Sequence, residues 1–352
     1  MDYKKEIEEL VDLILKEGAS DLHLSAGRPP IIRASGALIP LVKKPTLSEV
    51  DMKGFVKALL EPVNQELLNT NKDVDFSYNL TAARFRGNVY YHQGSLSIAL
   101  RLIPKAIRTL AELNLPPILE SFTRKPQGFF LVVGPIGQGK TTTLSTMIEM
   151  INQTRTEHIL TIEDPVEYLY ESKKSIIDQR EVRFDTPDFP SALTAMFRQD
   201  IDVCMIGEMR DIATIATAVT AAETGHLIFS TLHTNNAAQT INRIIDSFPA
   251  GQQDQIRVQL AGSLTGIFSQ RLVPRISGGL IPAYELLINN SAVANLIREK
   301  RIHELNSVVE TSSQEGMIDM NRSLAELVRA GEITVESAYT NSLSPKTLEK
   351  MI

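Results

Sequence analysis

Apolar residues recur along this chain with two periods, and the switches between them outline its organisation. Residues 4–17 carry Ile7, Leu10, Val11 and Ile14 at helical spacing, with Gly18 placed to cap the C-terminal end. Short alternating stretches follow at Asp21–Leu24 and Ile31–Arg33, separated by Pro29-Pro30 and closed by a turn at Ser35-Gly36. Residues 47–69 predict one or two helices, with Pro62 opening the second, because a proline inside a helix removes a hydrogen bond. A hairpin from about Ala83 to Leu102 turns near His92-Gln93-Gly94. Its period of two sets Arg84 and Arg86 opposite Phe85, and Arg101 opposite Leu96, Ile98 and Leu100, so the arginines are expected on display rather than buried. A solvated sheet face and a phosphate-contacting face both fit that spacing.

From Gly128 the pattern changes to short, wholly apolar runs at 129–133, 159–162, 203–206 and 227–232, separated by helical stretches. Such alternation predicts a mainly parallel sheet covered by helices, with ligand at the carboxyl ends of its strands. Beyond Pro249 a helical period runs through Ile256, Leu260, Leu264 and Ile267. Pro274 and Gly278-Gly279 break it, Ile281–Ile288 reads as a last strand, and the chain from 292 onward is helical. The chain is thus expected to be α/β: an α+β domain over 1–112, a proline-bearing linker over 113–127, an α/β core over 128–275 and a helical region over 276–352.

A length of 352 residues and 43% hydrophobic content suit two or three folded domains. The net charge of −6 lacks the basic footprint of a nucleic-acid binder. One cysteine excludes an internal disulfide framework and a multi-cysteine zinc site, which fits a reducing compartment. No run is long and apolar enough for a membrane span, and MDYKKEIEEL has no signal-peptide character, so a cytoplasmic protein is expected.

Chemistry enters at Gly134-Pro135-Ile136-Gly137-Gln138-Gly139-Lys140-Thr141, which fits the phosphate-loop pattern G-x-x-x-x-G-K-[ST], with Thr142 adjoining. It lies between an apolar run and a helical stretch bearing Leu144, Met147, Ile148 and Ile151. The glycines free the backbone to turn its N–H groups toward an anion, Lys140 reaches the β- and γ-phosphates, and Thr141 supplies a hydroxyl for Mg²⁺. Glu163 emerges at the end of the run 159–162. It is placed to order Mg²⁺ through water or to orient the attacking water, although Asp164-Pro165 also makes a plain strand-end turn. Glu208 follows Val203–Ile206 and Gly207 and is the best general base for water attacking the γ-phosphate. His226 and His233 flank the run 227–232. Seven residues at about 3.3 Å each separate them by more than about 20 Å, so they cannot share one metal ion. One suits a phosphate or water sensor and the other an interface or sheet-end hydrogen bond.

Taken in order, EGASDLHLSAGRPP, GPIGQGKTTT, ILTIEDPVEY, IGEMRD and GHLIFSTLHT make the chain resemble the secretion-superfamily hexameric ATPases, and specifically the PilT-type motors that retract type IV pili. The resemblance covers nearly the full chain. It implies a PAS-like N-terminal domain, a RecA-like P-loop ATPase domain, ATP and Mg²⁺ as cofactors, and a homo-hexamer with ATP at the joint between domains. It further implies phosphate and Mg²⁺ binding by Lys140 and Thr141, a catalytic Glu208 supported by Glu163, and a histidine-box pair at His226 and His233. Arg84, Arg86 and Arg101 match the region that supplies phosphate-contacting arginines, with Arg108 a further candidate. The implied partners are an inner-membrane pilus platform protein and a paralogous retraction ATPase, which would put the motor at the cytoplasmic face of that membrane.

Some positions depart from the family pattern. Ile136 and Gln138 replace small polar residues at x positions of the loop, and residues 197–202 differ from the usual acidic lead into the Glu208 strand. Ala294 stands where the retraction-associated AIRNLI motif has arginine. Val293, Leu296 and Ile297 form one apolar stripe there, and the missing arginine is expected to lie off it. Two other classes compete: a non-hydrolysing accessory ring subunit, which would have lost Lys140 or Glu208, and an assembly or secretion ATPase, which commonly carries a four-cysteine zinc insertion.

Overall fold

The computed structural model describes residues 2–352 except 35–36, 81–82 and 104–105, so the turn expected at Ser35-Gly36 lies outside the described residues. The chain divides into two units, Met1–Ala106 with Pro165–Leu169, and Ile107–Asp164 with Tyr170–Ile352.

The first unit opens with α1 (Tyr3–Lys16), whose Asp2 side chain accepts from the Lys5 amide and whose Ile7, Leu10, Val11 and Ile14 are buried. It continues through β1 (Asp21–Ser25), β2 (Ile31–Ala34), β3 (Ala37–Pro40), α2 (Glu49–Leu59), α3 (Pro62–Asn71), β4 (Asp73–Asn79), β5 (Arg84–His92) and β6 (Ser95–Ile103). Pro62 begins α3 as anticipated. The strands form an antiparallel sheet in the order β3-β2-β1-β6-β5-β4. Gln93 and Gly94 turn the β5–β6 hairpin with φ of 49° and 83°, the sign of a two-residue type I′ connection. Phe55, Phe76, Phe85 and Leu100 lie in the core of this unit.

The hairpin also brings a correction. Arg86 pairs in register with Arg101, on the side opposite Phe85, but Arg84 is not displayed: it is only 6% exposed. Its guanidinium donates to the Val166 carbonyl from Nε at 3.2 Å and Nη2 at 2.6 Å, and to Asn79 Oδ1 at 2.6 Å. The period of the strand set its face correctly, but the segment Pro165–Leu169, distant in sequence, takes the side chain out of solvent.

The second unit contains α4 (Leu119–Thr123), β7 (Gly128–Val133), α5 (Lys140–Thr154), β8 (His158–Glu163), β9 (Ile176–Glu181), α6 (Phe189–Met196), β10 (Val203–Ile206), α7 (Ile212–Glu223) and β11 (Leu227–Leu232). After these come α8 (Ala237–Asp246), α9 (Ala250–Ser263), β12 (Leu264–Pro274), β13 (Leu280–Ile288), α10 (Ser291–Arg298), α11 (Leu305–Thr311), α12 (Met320–Arg329), α13 (Val335–Asn341) and α14 (Pro345–Glu349). The sheet order is β13-β12-β7-β11-β10-β8-β9, parallel from β12 through β9, with β13 antiparallel at one edge. Successive residues of β7 serve opposite faces: Phe130 and Val132 pack with Leu144 and Met147 of α5, while Phe129, Leu131 and Val133 join the core that includes α7 and α8. That two-sided burial explains the unbroken apolar runs.

Three expectations about this unit change. Leu264 and Ile267 lie on β12, not on a continued helix, because α9 stops at Ser263 and the β-rich run that follows inserts beside β7. Residues 113–127 are no free linker: Leu115, Leu119 and Phe122 are buried in the core beside α5. Ala294 is not off the apolar stripe; it is buried on α10 with Val293, Leu296 and Ile297, since it stands three residues before Ile297 and shares that face. No helix among the described residues is long and apolar enough to cross a membrane.

Candidate active site

The carboxyl ends of β7, β8, β10 and β11 gather the chemistry of the second unit. Past Val133 the chain turns through Gly134, Gly137 and Gly139 at φ of 150°, 76° and 76°, conformations that side chains resist. Gly139 leads into α5, whose first turn has no side-chain cap, so its N–H groups and the positive end of the helix dipole face the loop. Lys140 is buried, and its Nζ donates to the carbonyls of Gly134 at 2.9 Å and Pro135 at 2.8 Å. Burial pushes its ammonium down to about 8, with Glu208 opposing the shift. Thr141 is the second residue of α5, and Thr142 follows it.

Glu163 ends β8 almost fully buried, and its Oε1 accepts from Thr161 Oγ1 at 2.7 Å and Gln179 Nε2 at 3.2 Å. At the end of β10, the Gly207 amide donates to the Ile162 carbonyl at 2.8 Å and its own carbonyl accepts from Thr231 Oγ1 at 2.7 Å, which fixes the exit of Glu208 between two neighbouring strands. Glu208 Oε1 pairs with Arg210 Nη2 at 2.5 Å, and its Oε2 lies 3.8 Å from His233 Nε2. His233 Nδ1 stands 3.2 Å from Lys140 Nζ. Burial lowers the His233 pKa and the Lys140 charge lowers it further. A neutral ring that accepts from Lys140 at Nδ1 and carries its proton on Nε2, toward Glu208, satisfies both neighbours. His233 therefore bridges the loop lysine and the strand-end glutamate.

The second histidine does not join them. His226 sits before β11, at the far end of the strand, with Nδ1 3.0 Å from the Ala221 carbonyl and its ring edge-on to Phe197 at 5.4 Å. That contact absorbs Phe197, one of the residues that departs from the family pattern. In the first unit, Arg86 Nη1 pairs with Glu167 at 3.2 Å and Arg101 Nε with Asp21 at 2.9 Å, while Arg84 holds Val166. Arg108 is exposed, and its carbonyl accepts from Thr146 Oγ1 of α5 at 2.8 Å.

Residues 3–316 match the family model for type II/IV secretion system proteins. The chain belongs to that family. Within the secretion family the likeness is full-length. The type IV pilus retractation ATPase PilT of Pseudomonas aeruginosa is 40% identical over 342 residues, which are 97% of this chain and 99% of that one. A twitching motility protein of Neisseria gonorrhoeae is 44% identical over 321 residues, 91% of this chain and 86% of that one. The crystal structure of the pilus retraction motor PilT with bound ADP superposes with a TM-score of 0.90 at 45% identity, covering 97% of this chain and 98% of that one. The resemblance drawn from the five motifs is thus borne out, as is the expected α/β fold class.

Gln270 belongs to none of the sequence motifs. It lies 3% exposed on β12, where Nε2 donates to the Gln138 carbonyl at 2.8 Å and Oε1 accepts from Thr143 at 2.7 Å. Its one signal is the polar stretch Ser269-Gln270-Arg271 between Phe268 and Leu272, in a segment whose spacing predicts a helix. Thr161 and Arg210, which hold the two carboxylates, lie inside the ILTIEDPVEY and IGEMRD stretches without a role predicted for them, and Gln179 lies in none of the five motifs.

Proposed function

We propose that this chain is an Mg²⁺-dependent ATPase that works as a homo-hexameric ring and powers retraction of type IV pili. The observation that carries the reading is the convergence of Lys140, Thr141, Glu163, Glu208 and His233 at one end of a parallel sheet, in a chain similar to PilT from end to end. The loop N–H groups and Lys140 cradle the phosphates, and Glu208 takes the proton of the attacking water. The oxygen donors present suit a hard cation: Thr141 Oγ1 would hold Mg²⁺ directly and Glu163 through water, and bound there it neutralises charge on the β- and γ-phosphate oxygens. His233, tied to both Lys140 and Glu208, is suited to sensing the γ-phosphate. Arg86 and Arg101, both paired with single carboxylates near the surface, are assigned to phosphate contact, whereas Arg84 is assigned to holding Val166. The partners implied are an inner-membrane pilus platform protein and a paralogous retraction ATPase, with the ring at the cytoplasmic face of that membrane.

Two experiments test this. Glu208→Gln should bind ATP yet scarcely hydrolyse it, and hydrolysis at the wild-type rate would remove Glu208 from the role of base. A strain lacking the chain should stay piliated but lose twitching, whereas loss of surface pili would assign the protein to pilus assembly.

A further inference from the structure

Both ends of the phosphate loop rest on one residue of β12. A Cβ on Gly134 would lie 2.4 Å from the Gln270 carbonyl oxygen, and one on Gly139 would lie 3.1 Å from Gln270 Nε2. The Gln270 side chain then ties the middle of the loop to its helix: Nε2 donates to the Gln138 carbonyl and Oε1 accepts from Thr143 Oγ1. Gln138 closes a second link, since its Oε1 accepts from the Leu272 amide at 2.6 Å. A small residue at 138 could not span that distance. The departure from the family pattern at Gln138 thus builds a connection that a short side chain lacks.

We infer that Gln138 and Gln270 are positioning residues that form a latch, fixing the shape of the phosphate loop before ATP arrives and so setting its affinity for ATP. This rests on the loop being the ATP phosphate site. A loop with glycines at 134, 137 and 139 loses much backbone freedom when it orders around a phosphate. Where the latch has already removed that freedom, less binding energy is spent on ordering. The latch touches neither Glu208 nor His233 in any hydrogen bond described above, so its loss weakens binding more than the chemical step.

The test uses the full chain with Gln138→Ala, Gln270→Met, the double variant, and Gln138→Glu, which keeps the acceptor. Steady-state MgATP hydrolysis and amide hydrogen exchange across residues 134–143 without nucleotide are read together. Gln138→Ala should raise KM for ATP about tenfold with a smaller fall in kcat, and should speed exchange in the loop. Gln270→Met should do more, and the double variant should be no worse than Gln270→Met alone, because both links hold one segment. Gln138→Glu should restore slow loop exchange. Unchanged loop exchange in Gln138→Ala, or a loss confined to kcat, would overturn the latch. Failure of the wild type to hydrolyse ATP would instead overturn the proposed function, and loop exchange would still decide the latch.

Discussion

Arg84 separates two accounts of the hairpin arginines, a phosphate contact and a structural anchor, and replacing it by alanine distinguishes them. At 6% exposure its charge is little screened by solvent. Its guanidinium donates twice to the Val166 carbonyl, and also to Asn79 Oδ1. Hydrogen bonds from a charged donor contribute about 1.5–3 kcal/mol each. The Val166 carbonyl keeps a second donor, Ser77 Oγ at 3.2 Å, so it is not stranded, and the lower end of that range applies. The expected loss is about 3 kcal/mol, concentrated on the segment Pro165–Leu169. Local opening that costs about 3 kcal/mol less should accelerate amide exchange across that segment on the order of 100-fold. Arg84→Lys, which offers a point charge in place of a planar fork, should fall between. Exchange mass spectrometry on peptides spanning Asp164–Tyr170 reads the effect, with phosphate release measured on the same samples. If Arg84→Ala leaves this exchange at the wild-type rate while phosphate release collapses, Arg84 is a nucleotide contact and the anchor account is wrong.

Other consequences follow from the charges around the loop. Because burial holds the Lys140 ammonium down at about 8, kcat/KM for ATP should fall roughly tenfold per pH unit above that value; a flat profile between pH 7 and 9 would refute the lowered Lys140 pKa. Glu285 on β13 is buried with its Oε1 accepting from the Ala237 amide at 2.7 Å, and burial raises its pKa from 4.5 to about 7. The folded state thus keeps a proton that the unfolded chain releases near 4.5, so this group's contribution is fully present below that pH and declines by about 3 kcal/mol as pH rises to 7. Glu285→Gln should therefore flatten that decline and denature later than wild type at pH 8, and equal midpoints would refute the assignment. His226→Ala should lower the melting temperature and largely spare turnover, whereas His233→Ala should cut kcat by tenfold or more; the reverse pattern would interchange their roles.

The parts of the fold that could be read beforehand are those fixed by local physics. The loop, the apolar runs β7, β8, β10 and β11, the α2–α3 break at Pro62 and the Gln93-Gly94 turn each carry their own stereochemical reason in adjacent residues. The misread parts depend on contacts between distant residues. Leu264 and Ile267 continued a helical spacing by coincidence, and only the open side of β7 made their segment a strand. The spacing of Val293, Leu296 and Ile297 alone leaves Ala294 off their stripe, but a core supplied by other elements decides which face is buried. Likewise the two box histidines were symmetrical about β11 in the sequence, and what distinguishes them is Lys140, a residue 93 positions from His233. Gln270 was hidden because its partners, Gln138 and Thr143, lie more than a hundred residues before it.

The path of the polypeptide at Pro165–Leu169 bears on how such motors can be exchanged between relatives. The five residues that follow Glu163-Asp164 belong to the first unit, so that unit is not a contiguous stretch of chain. A graft of residues 1–106 alone would replace Arg86 but leave its carboxylate partner Glu167 behind, whereas the Val166 carbonyl held by Arg84 is a main-chain group that stays whatever residue stands there. The heritable module is therefore residues 1–106 together with the insert, and substitutions at Glu167 should be accepted only in step with Arg86, although Glu167 sits in the midst of the nucleotide-binding half of the sequence.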